Sequence, residues 1–310
     1  MSGSLPPFPK LRRVRSQALA AVIAIVVVLV FLIVLAVRIY DAVRPLGQPG
    51  TSAAITCNSQ YTITHSSIIA LDGGVYAMQT DEYNSNAPFA MCGDGREDFK
   101  ITESQISGAG DGTPGGYPSI YRGCHWGDCT KDSGLPIRVS SLEKNTSQVR
   151  LSYDTQVSAH GVWDDAFDIF FTPCDDHGVS ASGCTQNTQP DREMMIWLSH
   201  YGPAIPGGNS TEVTIDGLNF NLWWDGQTMW YVISSPSLTN PHVQNLDLGD
   251  FIKDAVNRGY IPFPSWYLMD IEAGFEIWQG GQGLQAKSLS ICTPSPAGCG
   301  NAARAPARAG

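Results

Sequence analysis

The chain has 310 residues, 43% hydrophobic and 15% charged, which allows one large domain with shorter appended segments. Its formal net charge is −10; without the first fifty residues, which hold six basic residues and one acid, 13 basic and 28 acidic residues remain, a net charge of −15. Such a surface repels nucleic acid and anionic lipid headgroups, whereas it is compatible with a neutral polymer as partner.

The amino-terminal region contains a long apolar run. Residues 18–37 are 20 consecutive apolar residues, enough for one helix to span a bilayer. The preceding segment, residues 1–17, carries four basic residues, which predicts that the amino terminus stays in the cytoplasm. We therefore predict a signal-anchor in the lipid bilayer, with the rest of the chain at the extracellular face of the cell membrane. The alternative is a signal peptide cleaved near Ala53-Ala54, which would make the protein secreted.

Short strands are predicted for most of the remaining chain. Residues 38–54, with two prolines and several small residues, are typical of a linker. From residue 55 onward, short β-type segments alternate with Gly, Pro, Asn, Asp and Ser, which indicates an all-β sandwich or barrel. The clearest strand candidates are Tyr61–Thr64, Gly74–Gln79, Gln148–Tyr153, Phe167–Phe171, Met194–Ser199, Glu212–Ile215, Leu218–Trp224 and Met229–Ser234.

A single helix stands out near the carboxy terminus. Apolar residues recur at helical spacing between Leu248 and Val256, with Asp247 as a candidate N-cap and Gly259 as a stop. We expect this helix to cover the outer face of one sheet. The tail, residues 293–310, is rich in Ala, Pro, Gly and Arg and is predicted to be largely disordered.

Two glutamates occupy matching strand-like segments, each ending in tryptophan. Because residues i and i+2 share a strand face, Glu193 lies on one face with Met195 and Trp197. By the same rule Glu276 shares its face with Trp278. Two carboxylates that face one aromatic cleft provide what glycosidic bond hydrolysis needs, namely an acid and a nucleophile or base. The alternative is that both glutamates lie on solvated strand faces without a catalytic role.

The motifs around these glutamates resemble those of glycoside hydrolase family 12, the small endo-β-1,4-glucanases. The segments Glu193–Trp197 and Gly274–Trp278 are similar to its two catalytic strands. Gly116–Tyr121, Gly123–Trp126 and Ala166–Phe170 match further motifs in the right order, so the resemblance covers residues 55–292. It implies a β-jelly-roll sandwich of two antiparallel sheets with one helix on the convex side. In this chain one transmembrane helix would precede that domain.

The resemblance also implies the catalytic roles. Glu193 would be the nucleophile of a retaining mechanism and Glu276 the general acid/base. Asp168 would hydrogen-bond to Glu193 and fix its rotamer. Glu272 shares the face of Glu276, but the Gly-Phe-Glu-x-Trp motif selects Glu276. No cofactor or metal is implied.

Several residues are predicted to bind the sugar. Stacking of aromatic rings on sugar faces makes the tryptophans of the matched motifs candidates, although each could belong to the core. Proline in the Gly202–Gly208 segment would stiffen a loop crossing the cleft. The family usually has a tryptophan platform after an early strand, where this chain has tyrosine. The resulting candidates are Tyr83, Trp126, Met195, Trp197, Pro206 and Trp278.

All eight cysteines follow the apolar run, which favours an oxidising compartment. The resemblance implies the bridges Cys57–Cys92 and Cys124–Cys129. Spacing alone suggests Cys174–Cys184 and Cys292–Cys299, and other pairings of these four stay open. A zinc site at Cys124, His125 and Cys129 is an alternative with poor ligand spacing.

The leading hypothesis is a retaining endo-β-1,4-glucanase, acting as a monomer on cellulose or mixed-linkage β-glucan. A xyloglucan-specific enzyme is a variant with the same chemistry. A catalytically inactive glycan-binding module on a membrane anchor is the alternative from another class. The altered segment at Tyr83 favours the binding module, whereas retention of Glu193, Glu276 and Asp168 favours the enzyme.

Overall fold

The structure is a computed structural model that describes residues 54–108, 112–158, 160–173, 192–203, 205–234, 241–262 and 266–298. Several predictions lie outside these residues: the basic segment 1–17, the membrane span 18–37, nearly all of the linker, Cys174, Cys184, Cys299 and the tail from residue 299. In the described ranges, no helix combines the length and apolar character needed to cross a membrane.

Two β-sheets form the domain. The smaller sheet has the order β1 (Thr62–Thr64), β4 (Phe89–Cys92), β5 (Phe99–Ser104), β19 (Gln285–Cys292), β10 (Arg150–Gln156), β16 (His242–Asp247). The larger sheet has the order β13 (Thr211–Ile215), β14 (Leu218–Trp224), β15 (Thr228–Ile233), β12 (Arg192–Tyr201), β11 (Val162–Thr172), β17 (Tyr267–Gly274), β7 (Ser119–His125), β3 (Tyr76–Gln79), β2 (Ile68–Leu71). Short strands extend it: β6 (Ile106–Ser107), β8 (Asp128–Cys129), β9 (Ile137–Arg138) and β18 (Ile277–Gly280).

The all-β prediction is therefore confirmed, and all eight strand candidates overlap observed strands. One detail differs from two purely antiparallel sheets, because β12 and β15 pair in parallel. Glu193 is aligned with Thr228 in this pair. The parallel alignment follows from the long connection between the two strands, which includes the β13–β14 hairpin.

Side chains on the larger sheet alternate between two apolar clusters. On β12, Met194, Ile196 and Leu198 enter the main core between the layers. Met195 and Trp197 instead join a smaller cluster on the opposite face, together with half-buried tryptophans of β14, β15 and β18. This alternation confirms the face assignment made from strand periodicity. The smaller cluster forms part of the concave face that carries the candidate site.

The predicted helix is present as α2 (Leu248–Asn257), and a six-residue helix, α1 (Val139–Lys144), precedes it in the chain. The Asp247 carboxylate accepts a hydrogen bond from the Gly249 N–H, so it is the N-cap. The Phe251 ring packs 5.3 Å from Phe220 and 5.2 Å from Tyr231, measured between ring centroids. Both partners belong to the main core, so α2 covers the face opposite the smaller cluster.

Two disulfides are described, and both were implied by the family resemblance. Cys57 is bonded to Cys92, and Cys124 to Cys129. The zinc alternative is therefore wrong, because the two sulfurs it required are bonded to each other. Cys292 is also disulfide-bonded.

Candidate active site

Strand register brings the candidate carboxylates together on the concave face. Asp168 on β11 is aligned with Met195 on β12 and with Glu272 on β17. Two residues further along β11, Phe170 is aligned with Glu193 on β12. Since aligned residues on neighbouring strands point to the same face, all of these side chains share one surface.

Glu276 reaches the same surface from a break between strands. The sequence pattern places Glu276 in a strand-like segment, Gly274–Trp278, but β17 ends at Gly274 and β18 begins at Ile277. The break is held in place because the Phe275 side chain is fully buried in the main core and the Glu276 N–H donates to Asp164 Oδ1 at 3.4 Å. Gly274 permits it, since a Cβ there would lie 2.2 Å from the Pro118 carbonyl oxygen.

The two predicted catalytic glutamates line one cavity of about 550 Å³. Asp81, Asp168 and Glu272 also line it, so five carboxyl groups face the same cavity. The described residues that line it are Asp81, Tyr83, Tyr117, His125, Trp126, Asp168, Phe170, Glu193, Gln227, Glu272 and Glu276. Acidic groups concentrated in an aromatic cleft are typical of catalytic rather than structural positions.

Burial raises the pKa of both predicted catalytic glutamates. Burial raises the pKa of Glu193 to about 7, while hydrogen bonds from the Thr228 hydroxyl (3.0 Å) and from Asp168 lower it. Burial, followed by the charge of Glu193, raises the pKa of Glu276 to about 7. Because each charge disfavours the other, the pair retains a proton near neutral pH. One protonated and one ionised carboxyl group can therefore coexist in this cavity.

Asp168 interacts with the Glu193 side chain. Burial, and next the charge of Glu193, raise the pKa of Asp168 well above its ordinary value. A hydrogen bond between Asp168 and Glu193 in turn lowers the pKa of Glu193. The role of Asp168 in fixing the Glu193 rotamer, which the family resemblance implies, stays a prediction.

Sequence reasoning missed a buried network around Glu272. Its carboxylate contacts His125 Nδ1 at 2.6 Å and accepts hydrogen bonds from Gln79 Nε2 and Ser119 Oγ, each at 2.8 Å. Burial alone lowers the pKa of His125, but the charge of Glu272 and the hydrogen bond to it raise that pKa to about 9. Strand parity placed Glu272 on the correct face, yet only the fold brings His125 and Gln79 to it.

Asp164 was also missed as a neighbour of Glu276. Its carboxylate is fully buried and accepts the Glu276 backbone N–H. Burial, and next the charge of Glu276, raise the pKa of Asp164 well above its ordinary value. The sequence signal was available, because Asp164 has the same parity as Asp168 on the strand now seen as β11.

One group of residues in the described ranges has the composition of a metal site. Ligand atoms of His125, Asp270 and Glu272 lie within 4.8 Å of one another. However, His125 and Glu272 already bind each other, and Asp270 also hydrogen-bonds to Glu272. These mutual hydrogen bonds account for the cluster, so we assign no ion to it.

The predicted sugar-binding residues divide into exposed and buried ones. Tyr83 is 50% exposed and Trp126 is 40% exposed, and both line the cavity. Met195 and Trp197 are each only 2% exposed, so they support the surface from below instead of offering a ring or thioether to solvent. This differs from a stacking role, because a sugar platform needs an accessible face.

The remaining two candidates lie outside the cavity lining. Trp278 is half-buried beside Trp197, with ring centroids 6.2 Å apart, and its Nε1–H donates to the Gly112 carbonyl at 2.8 Å. Pro206 is half-buried in the segment after β12.

Tyr83 shows a contact that a stacking role does not require: its hydroxyl donates to Glu276 Oε1 at 2.9 Å.

Comparisons with known proteins identify relatives of this chain. Endoglucanase S of Pectobacterium parmentieri is 30% identical over 173 residues, covering 54% of this chain and 61% of that protein. The match therefore spans about three fifths of that curated relative. The solved structure of endoglucanase Cel12A from Rhodothermus marinus has a TM-score of 0.64 at 34% identity, covering 74% of this chain and 97% of that chain.

A family 12 xyloglucanase from Bacillus licheniformis shares the fold, with a TM-score of 0.62 at 18% identity over 74% of this chain and 98% of that chain. The model of the family described as "Glycosyl hydrolase family 12" matches residues 74–293. That range contains both glutamates, Asp168 and all of the cavity-lining residues named above. The chain therefore belongs to glycosyl hydrolase family 12.

Proposed function

We propose that the protein is a retaining endo-β-1,4-glucanase that hydrolyses cellulose or mixed-linkage β-glucan. The observation that carries the proposal is the pairing of Glu193 and Glu276 in one cleft, with a pKa of about 7 for each. The names of the relatives support this substrate class, since two of them are endoglucanases. The acidic surface is also suited to a neutral polymer.

The proposed reaction uses two displacements. Protonated Glu276 gives its proton to the glycosidic oxygen while the Glu193 carboxylate attacks the anomeric carbon, which forms a glycosyl ester and releases the first product. Glu276, now ionised, then takes a proton from water as the water attacks the same carbon and frees Glu193. Asp168 and Thr228 hydrogen-bond to Glu193 and would stabilise its carboxylate as the leaving group of this second step.

Reducing-end release on carboxymethyl-cellulose, barley β-glucan and xyloglucan tests the function. We expect the full chain in detergent to be active and Glu193→Gln to reduce activity by at least about a thousandfold, because the amide cannot form the ester. Glu212→Gln is the matched control, since Glu212 is an exposed strand glutamate outside the cavity. Retained activity in Glu193→Gln would refute its role as nucleophile. Binding of glucan without turnover by the unmodified chain would favour the inactive binding module, and a preference for xyloglucan would change the substrate.

The acid/base role of Glu276 has its own test. Glu276→Gln should lose far less activity on an aryl glycoside with a dinitrophenol leaving group, because that group departs without protonation. Deglycosylation would then become slow, and azide should accelerate it by replacing the water that needs a general base. Equal losses on activated and unactivated substrates, with no effect of azide, would argue against this role.

For location, we propose that the catalytic domain lies outside the cytoplasm, tethered by residues 18–37. The support is the apolar run, its basic flank and the disulfides at Cys57–Cys92 and Cys124–Cys129. Full-length protein should stay with membranes after alkaline carbonate extraction, with its catalytic domain open to external protease. Recovery of a shorter soluble product beginning near Ala54 would instead indicate cleavage.

A further inference from the structure

The hydroxyl of Tyr83 contacts Glu276 although 193 residues separate the two in sequence. The phenol donates to Oε1 at 2.9 Å, and both side chains line the cavity. We propose that Tyr83 is a positioning residue for the acid/base: it holds Glu276 through Oε1, so that Oε2 carries the proton for the glycosidic oxygen. This inference rests on the proposed role of Glu276.

The backbone around Tyr83 is fixed on both sides, so the phenol is held in place before substrate arrives. The preceding residue, Glu82, is buried, and its Oε2 accepts the Ser66 N–H at 3.0 Å. The following residue, Asn84, donates its N–H to the Gly115 carbonyl at 3.1 Å. With both neighbours tied to other segments, the position of the Tyr83 ring is set by the fold.

The ionisable groups with the largest effect on Glu276 are acids and this phenol. Glu193 faces it from β12, Asp164 and Asp168 from β11, and Asp81 from the segment that carries Tyr83. The charges of Glu193 and Asp81 raise the pKa of Glu276, while the hydrogen bond from Tyr83 lowers it. Burial, and next the charge of Glu276, raise the pKa of Tyr83 above its ordinary value, so the phenol remains a donor throughout the working pH range.

Substitutions of Tyr83 distinguish positioning by its hydroxyl from stacking by its ring. Stacking on sugar needs an aromatic face, which phenylalanine retains and tryptophan enlarges. Positioning needs the O–H, which both substitutions remove. Because loss of the donor removes an interaction that lowers the pKa of Glu276, both variants should raise that pKa and shift the alkaline limb of kcat/KM to higher pH.

The experiment compares Tyr83→Phe and Tyr83→Trp in the full chain, with Tyr61→Phe as control because Tyr61 lies outside the cavity. kcat and KM are measured across pH on an unactivated cello-oligosaccharide and on a dinitrophenyl cellobioside. We expect both Tyr83 variants to lose about tenfold in kcat on the first substrate. On the second substrate they should lose less than about twofold in kcat/KM, because kcat/KM there reports the glycosylation step, which needs no proton donor. On the first substrate, the alkaline limb of the kcat/KM profile should move to higher pH by about half a unit or more.

A Tyr83→Phe variant that keeps the kcat, the KM and the alkaline limb of the unmodified chain would overturn the proposal in favour of stacking. The titration of Glu276 by carbon-13 NMR gives a readout that does not depend on turnover, so it separates this inference from the proposed function. A pKa of Glu276 that is the same in the unmodified chain and in both Tyr83 variants would refute the contact. If the unmodified chain is inactive on both substrates, the proposed hydrolase activity is refuted. The titration would still decide whether the Tyr83 phenol lowers the pKa of Glu276.

Discussion

At the residue scale, the candidate site is a set of acids whose protonation depends on their neighbours. Glu193 and Glu276 each have a raised pKa because both are buried. Their hydrogen-bond partners differ, with Thr228 and Asp168 on Glu193 and with Tyr83 and Asp164 on Glu276. The chemistry thus depends on groups that a list of catalytic residues would omit.

Removing the charge of Glu193 should lower the pKa of Glu276. Glu193 is the second-largest cause, after burial, of the raised value, so Glu193→Gln should shift the titration of Glu276 downward by about one pH unit. Carbon-13 NMR of labelled glutamate carboxyls measures this, with Glu212→Gln as control. An unchanged titration would show that the two carboxyl groups are electrostatically independent.

A second change at this scale concerns His125. Its pKa of about 9 depends on Glu272, because burial by itself acts in the opposite direction. Glu272→Gln should therefore lower the pKa of His125 below its ordinary value of about 6.5 and leave the ring neutral at pH 7.5. Nitrogen-15 NMR of the imidazole reports this charge, and Glu103→Gln, at an exposed position of β5, is the control. A cationic ring at pH 8 in Glu272→Gln would contradict the assignment of Glu272 as its partner.

At the element scale, the site is built where two connecting segments lie against each other. The segment after β3 carries Tyr83, and it lies against the segment before β7. The Tyr117 N–H donates to the Asp81 carbonyl at 2.9 Å, and Gly116 stands next to this bond. The absence of a side chain at Gly116 allows the two segments to touch.

Alanine at Gly116 should disturb this arrangement. A Cβ there would lie 2.7 Å from the Asp81 carbonyl oxygen and 2.8 Å from the Glu82 Cα, both backbone atoms that cannot rotate away. We expect Gly116→Ala to lower stability by about 1–3 kcal/mol and to displace Tyr83 from Glu276. Denaturant unfolding measures the stability, and Gly207→Ala is the matched control because its Cβ would meet nothing within 4 Å. Equal stability of the two variants would mean that the segments can separate without loss.

At the scale of the whole molecule, the domain is a sandwich that keeps many carboxyl groups away from water. Burial raises the pKa of Asp165 to about 8, of Glu97 to about 7 and of Asp98 to about 6. These three lie outside the cavity lining, so the effect is not confined to the site. The folded state therefore binds more protons than the unfolded chain in mildly acidic to neutral solution.

Stability should consequently fall as the pH rises. A carboxyl group with a raised folded-state pKa stabilises the fold fully below about pH 4, and this contribution is lost as the pH rises through the folded value. His125, with a pKa of about 9, acts in the same direction. We expect the thermal midpoint to be several degrees higher at pH 5 than at pH 8. A midpoint that rises with pH over this interval would show that these carboxyl groups are ionised in the fold.

The sequence by itself determined the β-rich class, the helix with its Asp247 cap, the faces of β11 and β12 and the two glutamate motifs. These are local properties, since a period of two or 3.6 residues and a capping side chain can be recognised within a short segment. The family resemblance added the two described disulfides and the place of Asp168 beside Glu193. The membrane span at residues 18–37 stays a prediction.

Only the tertiary structure decided which distant groups meet. The break at Phe275 and Glu276, the burial of Trp197 and the parallel pairing of β12 with β15 depend on how strands align, which no single segment specifies. The contacts of Tyr83 with Glu276 and of His125 with Glu272 join residues 193 and 147 positions apart. Register and packing between sheets create these neighbours, so the electrostatics of the site follow from the fold and not from the motifs alone.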